Sequence, residues 1–194
     1  MNIMKKVLSV IAAISIVVAS WAVPVMADAA FTDMAADHWA MQSVSRLVSD
    51  GTINGFPDGT FRPTGIVSRA EFVKMLGKSD IKFDKDFLDV SKDHWAYDYI
   101  MHSALDGDAN GNFNPTAPIT RGQVAELLYK RYAGGAETIA PNYVTNGASD
   151  TKAAAWAYNT GLMVGGDMLN LRLADSLTRA EAAVIMSRIQ GWSK

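Results

Sequence analysis

Three arginines stand in one recurring setting: Ser68-Arg69-Ala70-Glu71, Thr120-Arg121-Gly122-Gln123 and Thr178-Arg179-Ala180-Glu181. The chemistry open to them is anion recognition. A hydroxyl residue followed three positions later by Glu or Gln is a capping box, in which side chain and backbone satisfy each other at a helix start. That accounts for the outer two letters, at about 1 kcal/mol per cap, and the small third residue permits close packing. The Arg has no such account, because a cation in the first helical turn opposes the helix dipole. A guanidinium fork beside the free N-terminal amides of a helix suits a carboxylate or a phosphate. The alternative is that each Arg pairs with an acid of a neighbouring copy, Asp33 or Asp89, and only fixes geometry.

Two tryptophans also repeat, in His38-Trp39-Ala40 and His94-Trp95-Ala96. An indole face can stack on the C–H face of a sugar. At the head of an amphipathic helix, however, partial burial is the commoner fate, and both readings stay open. His38 and His94 have no Ser, Cys or ligand partner at a useful spacing and read as structural. Asp106-Gly107-Asp108-Ala109-Asn110-Gly111 begins like a calcium loop, but its twelfth position is Ala117 rather than the bidentate Glu such a loop needs. It reads as a polar turn, so no metal and no cofactor is expected. No carboxylate pair is distinguished by spacing or by an apolar setting, so an enzyme is not expected.

The elements that position these residues come in copies. Phe31-Thr32-Asp33 and the His-Trp-Ala string return 56 positions later as Phe87-Leu88-Asp89 and its partner. A repeat of this length is one supersecondary unit that needs its neighbours to bury its apolar face. In the first copy the spacing predicts a helix from His38 to about Asp50, N-capped by Asp37, ended by Gly51 and turning Val44, Leu47 and Val48 inward. A loop rich in turn residues follows, then a second helix from Ser68 with Phe72, Val73 and Leu76 inward. The second copy is four residues shorter, a deletion placed over Gly51–Gly55. The third matches the first at an offset of 110 from Gly51 onward, but has Ser149 and Tyr143 where the first has Trp39 and Asp33. The expected division is 1–27 leader, 28–84, 85–135 and 136–194, with a linker over 134–146 and no catalytic domain after the third copy.

Lys5 and Lys6, an apolar run to Val23 and the small-residue exit Val25-Met26-Ala27 have the order of a secretory signal peptide. With Cys absent, disulfides and lipid attachment at Cys are excluded. Cleavage after Ala27 removes two Lys and no acid, taking the net charge from −2 to −4. Without a basic field, nucleic acid is not an expected partner, and no second segment is apolar enough to span a membrane.

The order Phe-x-Asp, His-Trp-Ala, Gly-x-Ile-x-Gly, Pro-Asp-Gly-Thr-Phe-x-Pro and Ser/Thr-Arg-Ala-Glu resembles the S-layer homology (SLH) domain. The first copy matches throughout, the second departs in its loop and the third in its front half. The resemblance implies an all-α fold: three helix-loop-helix repeats in a pseudo-threefold assembly with grooves between copies. It further implies a secreted, non-catalytic protein of the cell wall or cell surface. Its partner would be a secondary cell-wall polymer or other peptidoglycan-linked glycan, often pyruvylated. Carried over by motif, the ligand-binding positions are Arg69, Arg121, Arg179, Asp33, Asp89, Trp39, Trp95, Gly55 and Gly165, the glycines admitting close approach of a ligand. The second copy is expected to lack the loop glycine and the third the Asp and Trp, which leaves at least one groove weak. The rival expectation is an adaptor or assembly protein with other surface proteins as partners.

Overall fold

The computed structural model describes residues 31–80, 83, 85–133, 151–164 and 170–192. The leader, the linker, Gly165 and the positions of Tyr143 and Ser149 lie outside the described residues. Six helices form, α1 Met41–Ser49, α2 Arg69–Leu76, α3 Tyr97–Met101, α4 Arg121–Tyr132, α5 Thr151–Asn159 and α6 Arg179–Trp192, with no β-strand among the described residues. The all-α expectation holds. Each unit contributes two helices, and the second helix of one packs on the first helix of the next: α2 on α3, α4 on α5 and α6 back on α1. The units therefore close into a ring.

The ring is tied at its centre by backbone. Just before each capping box runs an extended segment, and the three meet in a triangle. The Val67 N–H donates to the Leu177 carbonyl at 3.0 Å, Leu177 to Ile119 at 2.8 Å, and Ile119 to Val67 at 3.0 Å. All three side chains are fully buried, so each central residue satisfies its peptide group on a different neighbour instead of on water.

The helix starts follow two rules. Ser68, Thr120 and Thr178 each accept from the N–H three residues on, while Glu71, Gln123 and Glu181 reach back to the cap residue's own N–H. The first helices use histidine. His38 Nδ1 accepts from the Ala40 N–H at 3.2 Å and His94 Nδ1 from Ala96 at 3.1 Å. Asp37 is not the cap, and α1 begins at Met41 rather than His38 because a turn held by this imidazole comes first. Ala40 and Ala96 are completely buried, which explains the small third letter of His-Trp-Ala. At the other end Gly51 takes φ +75° and stops α1, as its place in the sequence predicts.

The deletion in the second unit lies elsewhere than the sequence pattern placed it. α1 and α5 have nine residues and α3 has five. The four missing residues are close to one helical turn, so the chain re-enters the loop in register. Gly107 then occupies the place of Gly55. An added Cβ there would meet Phe87 Cε1 at 2.8 Å, just as one at Gly55 would meet Phe31 Cε1 at 2.2 Å. The second unit thus keeps the loop glycine and lacks a counterpart of Gly51.

Candidate functional site

The three arginines hold the ring together. Arg69 donates through Nε to the Phe113 carbonyl at 2.7 Å and through Nη2 to the Asp106 carbonyl at 2.5 Å, both in the second unit. Arg121 reaches the third unit, to Leu171 at 2.7 Å and Val164 at 3.1 Å. Arg179 returns to the first, to Phe61 at 2.8 Å and Asn54 at 2.9 Å. Each fork clamps the loop of the following unit. Burial pulls all three guanidinium pKa values below the ordinary arginine value, opposed by Asp89 and Asp106 at Arg69, by Glu181 at Arg121 and by Glu71 at Arg179. Arginine stays charged under such a load.

Two expectations about these arginines need correction. Their shared partners are backbone carbonyls rather than Asp33 or Asp89, and only Arg121 also pairs with an acid of the neighbouring unit, Glu181, among the described residues. The helix N-terminal amides beside them are also not free. The Arg69 and Ala70 N–H groups donate to the Ala117 and Pro115 carbonyls, Arg121 and Gly122 to Asp175 and Leu173, and Arg179 and Ala180 to Gly65 and Pro63. A capped third amide completes the set, so none of these three helix N-termini presents an empty anion cradle.

Asp33 and Asp89 have a different task. The Asp33 carboxylate accepts from the Phe61 and Arg62 N–H groups at 2.8 and 2.7 Å, and that of Asp89 from Phe113 and Asn114 at 2.7 Å each. The second residue of each pair is left-handed, Arg62 at φ 58° and Asn114 at φ 56°, as is Arg172 at φ 50° in the third unit. This conformation is costly away from Gly and Asn, and in the first two units the carboxylate holds the turn. The space beside Gly55 is taken by the Phe31 ring and the Thr60 carbonyl, so its missing side chain admits the protein's own phenylalanine. In the calcium-like segment Asp108 Oδ1 accepts from the Asn110 and Asn112 N–H groups, and Asp106 pairs with Lys85 and Lys130. No metal-binding cluster of His, Cys, Asp or Glu occurs among the described residues.

The tryptophans are more exposed than helix-head packing predicts. Trp39 is 63% and Trp95 54% accessible, each stacked on its preceding histidine at 5.4 Å between ring centroids. Each faces a groove between units. Groove one, about 710 Å³, is bounded by Arg179 of the third unit, the Gly51–Asn54 loop with Glu71 and Lys74 of the first, and Trp95 and Tyr99 of the second. Groove three, about 320 Å³, repeats the plan with Arg121, Val164, Glu181, Val184 and Trp39. Groove two, about 210 Å³, has Arg69 at its base beside Asp106, Asp108 and Gln123, with no aromatic side chain along its described lining.

The grooves differ in charge. In groove three Glu181 accepts from Arg121 Nη1 at 3.1 Å and also from Arg172, so the base arginine already faces a carboxylate. Burial raises the Glu181 pKa, but the Thr178 amide, Arg121 and Arg172 outweigh it and hold the carboxyl below its ordinary value. Arg69 and Arg179 form no ion pair among the described residues. In groove one Lys74 Nζ lies 5.3 Å from the Trp95 ring centroid. Repeat reasoning passed over Lys74 because its counterparts are Glu126 and Val184. Its place one turn after Glu71 on α2 was the available signal.

A histidine-capped helix, a loop pinned by an Asp carboxylate and a boxed helix clamping the next loop through Arg together repeat in the first two units. Residues 30–73 and 86–125 match the S-layer homology domain family. The chain carries SLH domains. It is similar to an S-layer protein of Bacillus licheniformis, 36% identical over 111 residues, covering 53% of this chain and 13% of that protein. It is also similar to an uncharacterized cell wall amidase of Bacillus anthracis, 36% identical over 110 residues, covering 53% of this chain and 20% of that one. A third relative is the cellulosome-anchoring protein of Acetivibrio thermocellus, 30% identical over 144 residues, covering 66% of this chain and 30% of that one. The chain thus spans less than a third of the length of these relatives. SLH domains and S-layer relatives indicate a protein of the cell surface or cell wall. No helix among the described residues is long and apolar enough to cross a membrane.

Proposed function

We propose that this protein is a secreted, non-catalytic wall-binding module that docks to an anionic secondary cell-wall polymer in the grooves between its units. The observation that carries the reading is the make-up of groove one. An arginine with no ion pair among the described residues, an exposed lysine and an exposed indole face line one cleft large enough for sugar residues. Cations suit the carboxylate or phosphate of an acidic sugar, and the indole suits its C–H face. The third unit acts as a degenerate SLH repeat: its α6 carries the same capping box and its Arg179 the same clamp as the other two. Residues 1–27 serve as the export signal, so the secreted protein is expected to begin at Asp28 on N-terminal sequencing.

The test is cosedimentation of purified protein with wall sacculi of Bacillus licheniformis, before and after extraction of the secondary polymer. Binding lost on extraction supports the reading. Binding that survives points to peptidoglycan itself. A protein that stays in the supernatant throughout overturns glycan docking in favour of the rival reading as a surface assembly or adaptor protein.

A further inference from the structure

The three grooves are built alike but are chemically unequal, and the inequality falls on side chains the repeats do not share. One position of the second helix lines the groove in the first and third units, as Lys74 and Val184. Its counterpart in the second unit is Glu126. Lys74 points its ammonium at the Trp95 face, whereas Glu126 is engaged with Lys130 at 2.7 Å. The base arginine varies too. Arg179 forms no direct ion pair among the described residues, with Glu71 acting on it only at longer range across the same cleft, while Arg121 is held by Glu181, whose side chain is only 14% exposed and also engages Arg172. A ligand carboxylate entering groove three would have to displace an internal carboxylate that is also the α6 capping residue. In groove two no lysine is among the described lining residues, Asp106 is paired with Lys85 and Lys130, and Asp106 and Asp108 line the cleft itself.

We infer that the anionic glycan is bound in groove one alone, with Lys74 as a specificity residue that, together with Arg179, fixes an acidic sugar across the face of Trp95. This rests on the wall-binding reading above and narrows it to one cleft and one added residue. Two cations in one cleft, Lys74 at the Trp95 face and Arg179 among the same lining residues, select an anionic glycan over a neutral one, because a neutral sugar would gain the stacking but not the charge-assisted bonds. Both Lys74 and Trp95 are exposed, so the electrostatic part of the affinity weakens as salt is raised.

The experiment uses four exposed-site variants, Lys74→Ala, Lys74→Arg, Trp95→Ala and Trp39→Ala, in binding isotherms on Bacillus licheniformis sacculi at low and physiological salt. Thermal unfolding of each confirms that it folds. Lys74→Ala is expected to bind about tenfold more weakly, the size of one lost charge-assisted contact. Trp95→Ala is expected to lose at least as much, and Lys74→Arg to retain affinity. Trp39→Ala, in the matching groove, should stay within about twofold, as surface changes away from a site do. Trp39→Ala weakening binding as much as Trp95→Ala would overturn the single groove. Lys74→Ala binding normally while Trp95→Ala fails would overturn the role of Lys74 and leave wall binding intact. Unaltered protein that never sediments would remove both this inference and the reading it rests on.

Discussion

Replacing Arg69 by Ala tests whether the motif arginine is first a structural clamp. Arg69 is 6% exposed and makes two hydrogen bonds to carbonyls of the next unit, with its guanidinium 4.6 Å from the Phe113 ring centroid. Hydrogen bonds from a charged donor contribute about 1.5–3 kcal/mol each, and a partly desolvated cation–π contact about 1 kcal/mol. Against this stands about 2 kcal/mol of side-chain entropy that Ala no longer surrenders. The net loss is about 3 kcal/mol, a large share of the roughly 5–15 kcal/mol that holds a domain folded. For a chain of this size it lowers Tm by about 6–12 °C. Arg179 is the more accessible of the two, so Arg179→Ala should cost about 1–2 kcal/mol, its bonds being in part replaceable by water. The assay is urea unfolding followed by far-UV circular dichroism, with the midpoint falling at unchanged slope. An Arg69→Ala midpoint shift worth less than about 1 kcal/mol would refute the clamp, since that is the scale of an ordinary surface change. So would Arg179→Ala costing more than Arg69→Ala. If the clamp holds, removing all three arginines unfolds the ring, and loss of wall binding in that variant says nothing about contact with glycan.

Three further outcomes are expected. Asp89→Asn keeps one acceptor for the Phe113 and Asn114 amides and sets an NH₂ group against the other, costing about 2 kcal/mol by urea unfolding. Gly107→Ala and Gly55→Ala press a methyl group into Phe87 and Phe31 and should cost about 1–3 kcal/mol each. Gly51→Ala meets no atom but must adopt φ +75°, for about 1 kcal/mol; equal losses at all three positions would contradict the packing account. Glu181→Gln should keep the α6 cap, as Gln123 does for α4, yet lose about 2 kcal/mol at neutral pH through the ion pair with Arg121. The Glu181 carboxyl titrates below its ordinary value of 4.5 in the folded protein. Its contribution is therefore complete above about pH 4.5 and is lost as the pH falls through the lower folded-state value. Stability–pH curves of wild type and Glu181→Gln should be well apart near neutrality and converge in acid; a constant gap would refute the assignment.

Much of this arrangement was legible as pattern. Capping boxes are local, so Ser68, Thr120 and Thr178 could be placed at helix starts from three-residue spacing alone, and Phe72, Val73 and Leu76 could be set inward by periodicity. The partners the three arginines share were not legible, because they are backbone carbonyls, and carbonyls carry no residue identity for a motif to report. Arg179 bonds to a residue 125 positions away, at Asn54. The choice between burial and exposure of the tryptophans was not legible, because an indole at a helix head usually closes a core, whereas here buried Ala40 and Ala96 fill that place. The deletion was misplaced because four lost residues suit either a loop or a helical turn, and only the surviving contacts of Gly107 with Phe87 choose between them.

The ring has a consequence for how such a module can change. Each arginine belongs to one unit and the loop it clamps to the next, and in grooves one and three the tryptophan across the cleft belongs to the one after. The Arg, the boxed helix and the loop amides are thus fixed by closure, and a substitution there is met first as lost stability. What remains free to vary is the second-helix position that lines grooves one and three as Lys74 and Val184 and is Glu126 in the second unit, and whether the base arginine meets an internal acid such as Glu181. Specificity on this frame should therefore reside in residues that differ between units, while the residues that recur report the frame itself.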